Sequence, residues 1–197
     1  IQSAGTEAAA AAEEMPEQEV TEIPLMVTQK LYFKECDHIV EPECFNVTRI
    51  LDVPDSFSVD KLNQALAVMY HAHYSLRTEF KHKEGEWHQV ISTRDYPGIL
   101  TYSFVVDSSE EQKKILEEYT ETLQHGFDYG EAPLFRVAYL DFGNESQSKL
   151  VIVFNHMIVD GCSVSIFLKE LVDIYGQIGQ ELPITIREEG DTLYRWA

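Results

Sequence analysis

Hydrophobic and polar positions along the chain fall into blocks that predict a mixed order of helices and strands. Five blocks are rich in β-branched and aromatic residues and predict strands; they span 44–53, 86–92, 99–107, 134–142 and 149–155. Four blocks predict helices; they span 23–35, 59–76, 109–124 and 163–179. The order of helix, strand, helix, two strands, helix, two strands and helix predicts an α/β fold built as a two-layer α/β sandwich.

Local signals mark the ends of three of these helices. Ser58 precedes the second helix as an N-cap, and Ser109 with Gln112 gives a capping-box pattern at the start of the third. Gly176 and Gly179 are expected to end the last helix. One face of the second helix carries its apolar positions, which are Leu62, Ala65, Leu66 and Met69, followed by His73.

The start of the chain differs in composition from the rest. Residues 1–22 hold six Glu, no Lys or Arg, and an alanine run without apolar periodicity. This predicts a flexible, acidic and alanine-rich linker at 1–22, followed by one domain at 23–197. The net charge of −19 disfavours nucleic acid as a partner, because phosphate is bound by Lys and Arg. No apolar run reaches the ~18 residues of a membrane span, so we expect no membrane partner.

The strongest candidate chemistry lies in VFNHMIVDGCSV, residues 153–164. His156 follows the strand at 149–155, whose nearly continuous apolar run predicts burial on both faces. Ligand-binding groups often lie at strand ends, and His exchanges protons near neutral pH. Asp160 is placed either to orient His156 or to pair with a cation elsewhere, and Gly161 permits close approach by a substrate. From this motif alone, a catalytic and a structural histidine are both open.

Other reactive residue types lack a comparable setting. The cysteines do not have the spacing of a disulfide framework or a zinc site, which predicts reduced thiols, a cytoplasmic location and no metal; they are Cys36, Cys44 and Cys162. Phosphate-binding glycine loops, the serine-nucleophile elbow and the His-Glu-x-x-His pattern do not occur in the sequence. The remaining histidines are predicted to be surface or hydrogen-bonded core residues; they are His38, His71, His73, His82, His88 and His125.

Several segments together resemble the chloramphenicol acetyltransferase-like superfamily, which includes the condensation and epimerization domains of nonribosomal peptide synthetases. NHMIVDG resembles its His-His-x-x-x-Asp-Gly motif, and HAHYSLRTEF (71–80) resembles its Arg-His-x-x-Leu-Arg-Thr-x-Phe segment. Three further segments resemble others in family order; they are PLMVTQKLYF (24–33), FDYGEAPLFRVAYL (127–140) and DTLYRWA (191–197). On these residues the chain is identified as resembling the N-terminal lobe of a nonribosomal peptide synthetase condensation domain.

This resemblance implies a fold of two similar lobes with a tunnel between them. The chain would form the first lobe, one half of such a domain, and the second lobe would be a required partner. Upstream and downstream peptidyl or acyl carrier proteins would deliver substrates on phosphopantetheine arms, so no cofactor is expected to be bound directly. The isolated lobe is expected to be inactive, because half of the tunnel would be missing.

The resemblance also implies roles for individual residues. His156 matches the catalytic second His, and it would position or deprotonate the acceptor amine as that amine attacks the donor thioester. Asp160 would pair with Arg77, so that both support the site, and the Gly161 N–H would help to hold the oxyanion.

The chain departs from the family motif at two positions. Asn155 stands where the family has its first His, and an amide can still support the site through hydrogen bonds. Cys162 stands where a large aromatic residue is usual, and Cys162 and Ser163 would line the tunnel. The substrate preference usual in the family is therefore not transferred to this chain.

Four functions are compatible with these residues. LRTEF favours a condensation domain, which forms an amide between carrier-bound intermediates, while EGEWHQ and DTLYRWA are also typical of an epimerization domain, which inverts an α-carbon. A degenerate recruitment domain is compatible with Asn155, but the retained His156 and Asp160 argue against it. A trimeric single-lobe acetyltransferase would carry the motif nearer its C-terminus and would not explain DTLYRWA.

Overall fold

The computed structural model describes residues 22–35, 45–143 and 146–186, and the predicted helices and strands occur in the predicted order, together with two further strands. The helices are α1 (Val27–Glu35), α2 (Val59–Ala72), α3 (Ser109–Gln124) and α4 (Gly161–Gly179). The strands are β1 (Glu22–Ile23), β2 (Asn46–Asp52), β3 (Thr78–Lys83), β4 (Glu86–Ile91), β5 (Leu100–Ser103), β6 (Phe135–Asp141) and β7 (Lys149–Asn155). A short 3₁₀ helix, Tyr74–Arg77, joins α2 to β3.

Four strands form the main sheet in the order β2-β7-β6-β5. β7 pairs antiparallel with both β2 and β6, whereas β5 runs parallel to β6. Six of the seven residues of β7 are buried, as its apolar sequence predicts for a central strand. The parallel β5–β6 pair needs a long crossover, and α3 lies within it.

Helices cover both faces of the main sheet. On one face, Phe154 of β7 packs edge-on against Phe167 of α4, with ring centroids 4.8 Å apart. On the other face, Tyr102 of β5 contacts Tyr119 of α3, with centroids 4.6 Å apart. The predicted α/β class is confirmed. The order of elements along the chain does not predict that α3 lies on the opposite face of the sheet from α4.

A second sheet has the order β1-β4-β3 and packs against α1. Phe33 of α1 stacks on Trp87 at 4.2 Å and meets Phe80 at 5.3 Å. β3 lies outside every predicted element, because its outer half is exposed and polar and lacks a strand-like apolar run. The β3–β4 hairpin turns at Glu84 and Gly85, whose φ values of 53° and 86° are those of a two-residue type I′ turn.

The predicted capping box at Ser109 and Gln112 is wrong by one residue. Ser108 is the N-cap of α3, and its hydroxyl accepts a hydrogen bond from the Glu111 N–H at 3.2 Å. The Glu111 carboxylate turns back to accept from the Asp107 N–H at 3.0 Å. A carboxylate completes this reciprocal arrangement and also favours the helix N-terminus, which explains why the box uses Glu111.

The other predicted helix ends agree with the structure in part. Ser58 caps α2 by accepting from the Lys61 N–H at 3.3 Å, as predicted. α4 ends at Gly179, whereas Gly176 lies inside the helix and does not end it.

Some predicted features lie outside the described residues. They include the linker up to residue 21, Cys36, His38, Cys44 and the DTLYRWA segment. The boundary at 22–23 therefore stays a prediction. Among the described helices, none has the length and apolar character needed to cross a bilayer.

Candidate functional site

His156 lies directly after β7, in the turn that leads to α4. Its backbone N–H donates to the Phe45 carbonyl oxygen at 2.7 Å, which extends the β2–β7 pairing by one residue. Its ring stacks on the Phe45 ring, with centroids 4.7 Å apart and planes 15° from parallel. The predicted candidate is therefore a half-buried histidine at the end of the central strand, and one residue contacts both its backbone and its ring.

The imidazole nitrogens of His156 have no hydrogen-bond partner among the described residues. Stacking uses the face of the ring, whereas both nitrogens lie in the ring plane, so the stack does not occupy them. The arrangement suits a group that accepts, donates or holds a proton.

The stack beside His156 continues into the protein. The Phe45 ring also stacks on Tyr32 of α1, with centroids 5.1 Å apart and planes 19° from parallel. The Tyr32 hydroxyl is 2.9 Å from the Tyr129 hydroxyl, and Tyr32 is buried. Three roughly parallel rings thus join His156 to α1.

Asn155 is completely buried, and both the oxygen and the nitrogen of its side-chain amide form hydrogen bonds. Its Oδ1 accepts from the Met157 N–H at 3.1 Å, and its Nδ2 donates to Asn46 Oδ1 at 3.2 Å. Asn46 in turn donates to the Gln124 carbonyl oxygen at 2.7 Å, at the end of α3. The amide at this position therefore fastens the turn that carries His156 to both β2 and α3.

Two buried glutamines also hold this turn, and they were not among the predicted site residues. Gln29 donates to the Met157 carbonyl oxygen at 3.0 Å and accepts from the Met26 N–H at 2.8 Å. Gln89 lies 3.4 Å from Gln29 and donates to the Pro24 carbonyl oxygen at 2.8 Å. Gln29 could have been identified from the sequence, because it stands among apolar residues in the 24–33 segment. A polar side chain that is buried there needs hydrogen-bond partners.

Asp160 is the N-cap of α4 and is exposed. Its Oδ1 accepts from both the N–H and the hydroxyl of Ser163, each at 2.7 Å. These hydrogen bonds from Ser163 hold the pKa of the Asp160 carboxyl below its usual range, and the charge of His156 adds to the effect. Asp160 therefore stays ionised and fixes the start of the helix beside His156.

The three residues after Asp160 form the first turn of α4. Gly161 is exposed, and a Cβ added there would meet nothing within 4 Å. Cys162 is a free, exposed thiol. Ser163 is half-buried, and its hydroxyl is used in the helix cap. The open space is at Gly161, where the N-terminus of the helix presents backbone N–H groups without intrahelical partners.

The implied ion pair between Arg77 and Asp160 is not formed. Arg77 ends the 3₁₀ helix, donates to the Ser92 carbonyl oxygen at 3.4 Å, and has its guanidinium 5.3 Å from the Tyr74 ring centroid. Its buried Nε has no hydrogen-bond partner among the described residues. The expectation is wrong here because Asp160 is satisfied by Ser163, while Arg77 lies against the end of β4.

The segment 71–80 instead meets α4 through a different residue. His73, the C-cap of α2, lies 2.7 Å from the Glu170 carboxylate, and the two side chains are only 16% and 11% exposed. This histidine is a hydrogen-bonded core residue, as predicted. The pair joins α2 to α4 and so supports the helix whose start carries Asp160.

An open cavity of about 780 Å³ lies elsewhere, beside the β3–β4 hairpin. It is lined by aromatic and polar residues that include Phe80, Trp87, Phe127 and Tyr129, and His156 is not among them. Across the described parts of the chain, no cluster of His, Cys, Asp or Glu is arranged to hold a metal ion. His156 therefore lies apart from this cavity, whose lining also includes Lys81, His82 and Asp128.

The family model described as Condensation domain matches residues 19–196 of the chain. One of the proteins that make up the linear gramicidin synthase of Brevibacillus parabrevis is 26% identical over 177 residues, which is 89% of this chain. Chondramide synthase of Chondromyces crocatus is 28% identical over 179 residues, again 89% of this chain. The chain spans only 3% and 4% of the lengths of these two relatives.

Solved structures match the fold as well. The epimerization domain from the third module of tyrocidine synthetase B aligns with a TM-score of 0.79 and 22% identity, over 91% of this chain and 39% of that one. The first condensation domain of the calcium-dependent antibiotic synthetase aligns with a TM-score of 0.74 and 14% identity, over 87% and 41%. These likenesses confirm the acetyltransferase-like lobe.

Proposed function

Because this chain belongs to the condensation-domain family, we propose that it supplies His156 to a condensation reaction of a nonribosomal peptide assembly line. The observation that carries the proposal is the position of His156. It follows the central strand, its ring nitrogens are not used by the stack on Phe45, and α4 begins five residues later. The two relatives described above are synthases of linear gramicidin and of chondramide, which supports this setting.

The proposed reaction transfers an acyl group from sulfur to nitrogen. The acceptor α-amine attacks the carbonyl carbon of the donor thioester, so that a C–N bond forms and the C–S bond breaks. The amine loses one proton, and the departing sulfur takes one up as a thiol. Since an α-amine has a pKa of about 8, a useful fraction is already neutral at pH 7, so His156 acts by holding the amine and receiving its proton.

The start of α4 provides a place for the developing negative charge. The attack turns the thioester carbonyl oxygen into an oxyanion, and preorganised N–H donors stabilise such a charge. Gly161 is the first residue of α4 and has open space around it, so its N–H is the donor we assign to this task. The positive end of the helix dipole acts in the same direction.

Both substrates are proposed to arrive as thioesters on the phosphopantetheine arms of upstream and downstream carrier proteins. The solved relatives are more than twice as long as the aligned chain, so we propose that a second lobe completes the tunnel around His156. The reaction is placed in the cytoplasm, because three cysteines without a disulfide framework suit a reducing compartment.

The reaction class is tested with loaded carrier proteins. The natural polypeptide that carries this chain is mixed with an acyl-loaded donor carrier and an aminoacyl-loaded acceptor carrier, and the acceptor arm is analysed by mass spectrometry. We expect the acceptor arm to gain the mass of the acyl group. An acceptor arm that never gains this mass, with carriers that stay loaded, would contradict the proposal.

The epimerization alternative has one specific observation in its favour, since a solved epimerization domain covers 91% of this chain. It predicts a different product in the same experiment. The arm would keep its mass, while chiral chromatography of the released amino acid or peptide would show a mixture of D- and L-forms. Condensation predicts retained configuration and an added acyl group.

A further inference from the structure

Residues 45 and 46 stand directly opposite the two motif residues at the end of β7. Asn46 and Asn155 are paired in the sheet register, so Phe45 is the next neighbour of His156. The His156 N–H donates to the Phe45 carbonyl oxygen at 2.7 Å. This backbone bond fixes where the Cα of His156 lies and leaves the orientation of the ring to be set by other contacts.

The ring of His156 has one aromatic neighbour among the described residues. Phe45 stacks on it at 4.7 Å, which is within the range of favourable stacked rings. Among the described residues no side chain or carbonyl hydrogen-bonds to the imidazole. Many histidines that transfer protons are oriented by such a bond to their second nitrogen. Here the stack on Phe45 is the contact that the structure shows holding the plane of the ring.

Phe45 is itself held on its other face. It is 43% exposed, so burial in the core does not fix it. Its ring stacks on buried Tyr32 at 5.1 Å, and the hydroxyl of Tyr32 is 2.9 Å from that of Tyr129. Buried Tyr32 thus holds the Phe45 ring, and the Phe45 ring in turn holds the His156 ring.

Asn46 acts on the neighbouring motif residue in a parallel way. It accepts from Asn155 Nδ2 at 3.2 Å while donating to the Gln124 carbonyl oxygen at 2.7 Å. Asn155 uses its own Oδ1 to hold the Met157 N–H. Asn46 therefore orients the Asn155 amide, and through it the backbone on the far side of His156.

We propose that Phe45, directly before β2, and Asn46, its first residue, are positioning residues of the site: Phe45 orients the His156 ring, and Asn46 orients the Asn155 amide that holds the following turn. The expected effect of these residues on the reaction rate rests on the proposed condensation reaction. Their effect on the orientation of the His156 ring and the Asn155 amide does not. Displacing a reacting group by about 1 Å costs up to ~10²-fold in rate, so the two residues matter to turnover without touching substrate.

The geometric part is tested by NMR on the 197-residue chain with labelled histidine. A stacked aromatic ring moves the carbon-bound imidazole protons of His156 upfield, and His156→Gln identifies their signals. Phe45→Leu should shift these signals towards the values of an unstacked imidazole, whereas Phe45→Tyr should retain the wild-type values. Ile50→Ala is the matched control, because Ile50 lies on β2, the strand that begins directly after Phe45, and is 45% exposed. Unmoved His156 signals in Phe45→Leu would overturn the inference.

The Asn46 part has its own measurement. Asn46→Ala should speed the hydrogen exchange of the Asn155 side-chain amide, and Thr48→Ala should not. Thr48 is the matched control because it lies on β2 and also contacts Gln124, at 3.4 Å between Oγ1 and Oε1. If the Asn155 side-chain amide exchanges at the same rate in the Asn46→Ala protein and in the wild type, Asn46 does not orient that amide and this part of the proposal is wrong.

The kinetic part uses the natural polypeptide. Phe45→Leu should lower kcat by ~10- to 100-fold with little change in KM for the loaded acceptor carrier, and Phe45→Tyr should restore most of kcat. A shifted His156 signal with an unchanged kcat would overturn the positioning role while leaving the reaction intact. A wild-type protein that forms no amide would refute the proposed function, and the NMR result would then decide alone whether Phe45 orients His156.

Discussion

At the scale of single residues, the site is built from backbone and amide contacts around one imidazole. Asn155, Asn46 and Gln29 are polar side chains whose hydrogen bonds hold the turn on either side of His156. A neutral amide keeps these bonds over a wide pH range, whereas an imidazole at position 155 would change its donors on protonation. The substitution of Asn for the first motif His therefore preserves support for the turn.

The role of Asp160 as a helix cap leads to a prediction on stability. Asp160→Ala should lower the free energy of unfolding by about 1 kcal/mol, because it removes the acceptor for Ser163 at the α4 N-terminus. In a double-mutant cycle, Asp160→Ala and Ser163→Ala should couple by ~0.5 kcal/mol or more, whereas Asp160→Ala and Arg77→Leu should be additive within ~0.5 kcal/mol. Urea unfolding measures all of these values. A coupling energy clearly above ~0.5 kcal/mol between Asp160→Ala and Arg77→Leu would contradict the structure, in which these two residues form no ion pair.

The same cap makes a pH-dependent contribution with a definite sign. The pKa of Asp160 is lower in the folded protein than its usual value, because Ser163 donates to the carboxylate. The folded state therefore binds the proton less well than the unfolded state does, and the cap's contribution is complete above the ordinary aspartate pKa. It should be lost as the pH falls through the lowered value. Wild type and Asp160→Asn should accordingly approach each other in unfolding free energy in acid, and a gap that grows in acid would contradict this.

At the scale of elements, Arg136 connects β6 to the end of α3. Its guanidinium donates to the carbonyl oxygens of Leu123, His125 and Gly126 and lies 4.1 Å from the Phe127 ring centroid. A cation is favourable at a helix C-terminus, where carbonyl groups lack partners. Arg136 is the arginine of the 127–140 segment that resembles the family, and these contacts give it a structural role.

Removing this cap should weaken α3. Arg136→Leu should lower the free energy of unfolding by about 1.5–3 kcal/mol, since several charge-assisted hydrogen bonds are lost. Arg49→Leu serves as the control, because Arg49 lies in the same sheet and, among the described residues, donates only to the carbonyl of its neighbour Thr48, at 2.9 Å. Equal losses of stability in the two variants would show that the helix cap contributes nothing.

The elements also show which parts of the fold can be predicted from the sequence. The prediction for β7 matches the structure from 149 to 155, because a continuous apolar run has a single stable place in the centre of a sheet. β3 was missed because its stability comes from pairing with β4 through the Glu84–Gly85 turn, and Glu-Gly is a weaker turn signal than Asn-Gly.

Residues far apart in the chain account for what was missed in the site. His156 and Asn155 were identified from their own motif, but Phe45 and Asn46 become their neighbours only through the register of β2 with β7. That register is set by packing across the whole sheet and not by local pattern. The predicted Arg77–Asp160 ion pair was wrong for a different reason. The Asp160 carboxylate accepts a hydrogen bond from Ser163, only three residues away, and so does not need Arg77 as a partner.

At the scale of the whole molecule, the chain supplies the residues around His156, and we propose that these form one half of a site. The chain aligns with about two fifths of each solved relative, 39% and 41% of their lengths. Within it, α1, β2, β7, α3 and α4 all contribute contacts to the residues around His156. We therefore propose that this chain handles the proton and binds the oxyanion, and that a second lobe closes the tunnel.

The most direct test of the role of His156 is single-turnover amide formation by the natural polypeptide and its His156→Ala variant, with both carriers loaded beforehand. We predict a fall in the rate constant of ~10²- to 10⁴-fold, the usual contribution of a positioned proton-transfer group. His71→Ala is the control, since His71 has a 55% exposed side chain and lies outside the site. Its rate should equal that of wild type, and unfolding curves should show that both variants are folded. A folded His156→Ala protein that forms the amide at the wild-type rate would contradict the central claim.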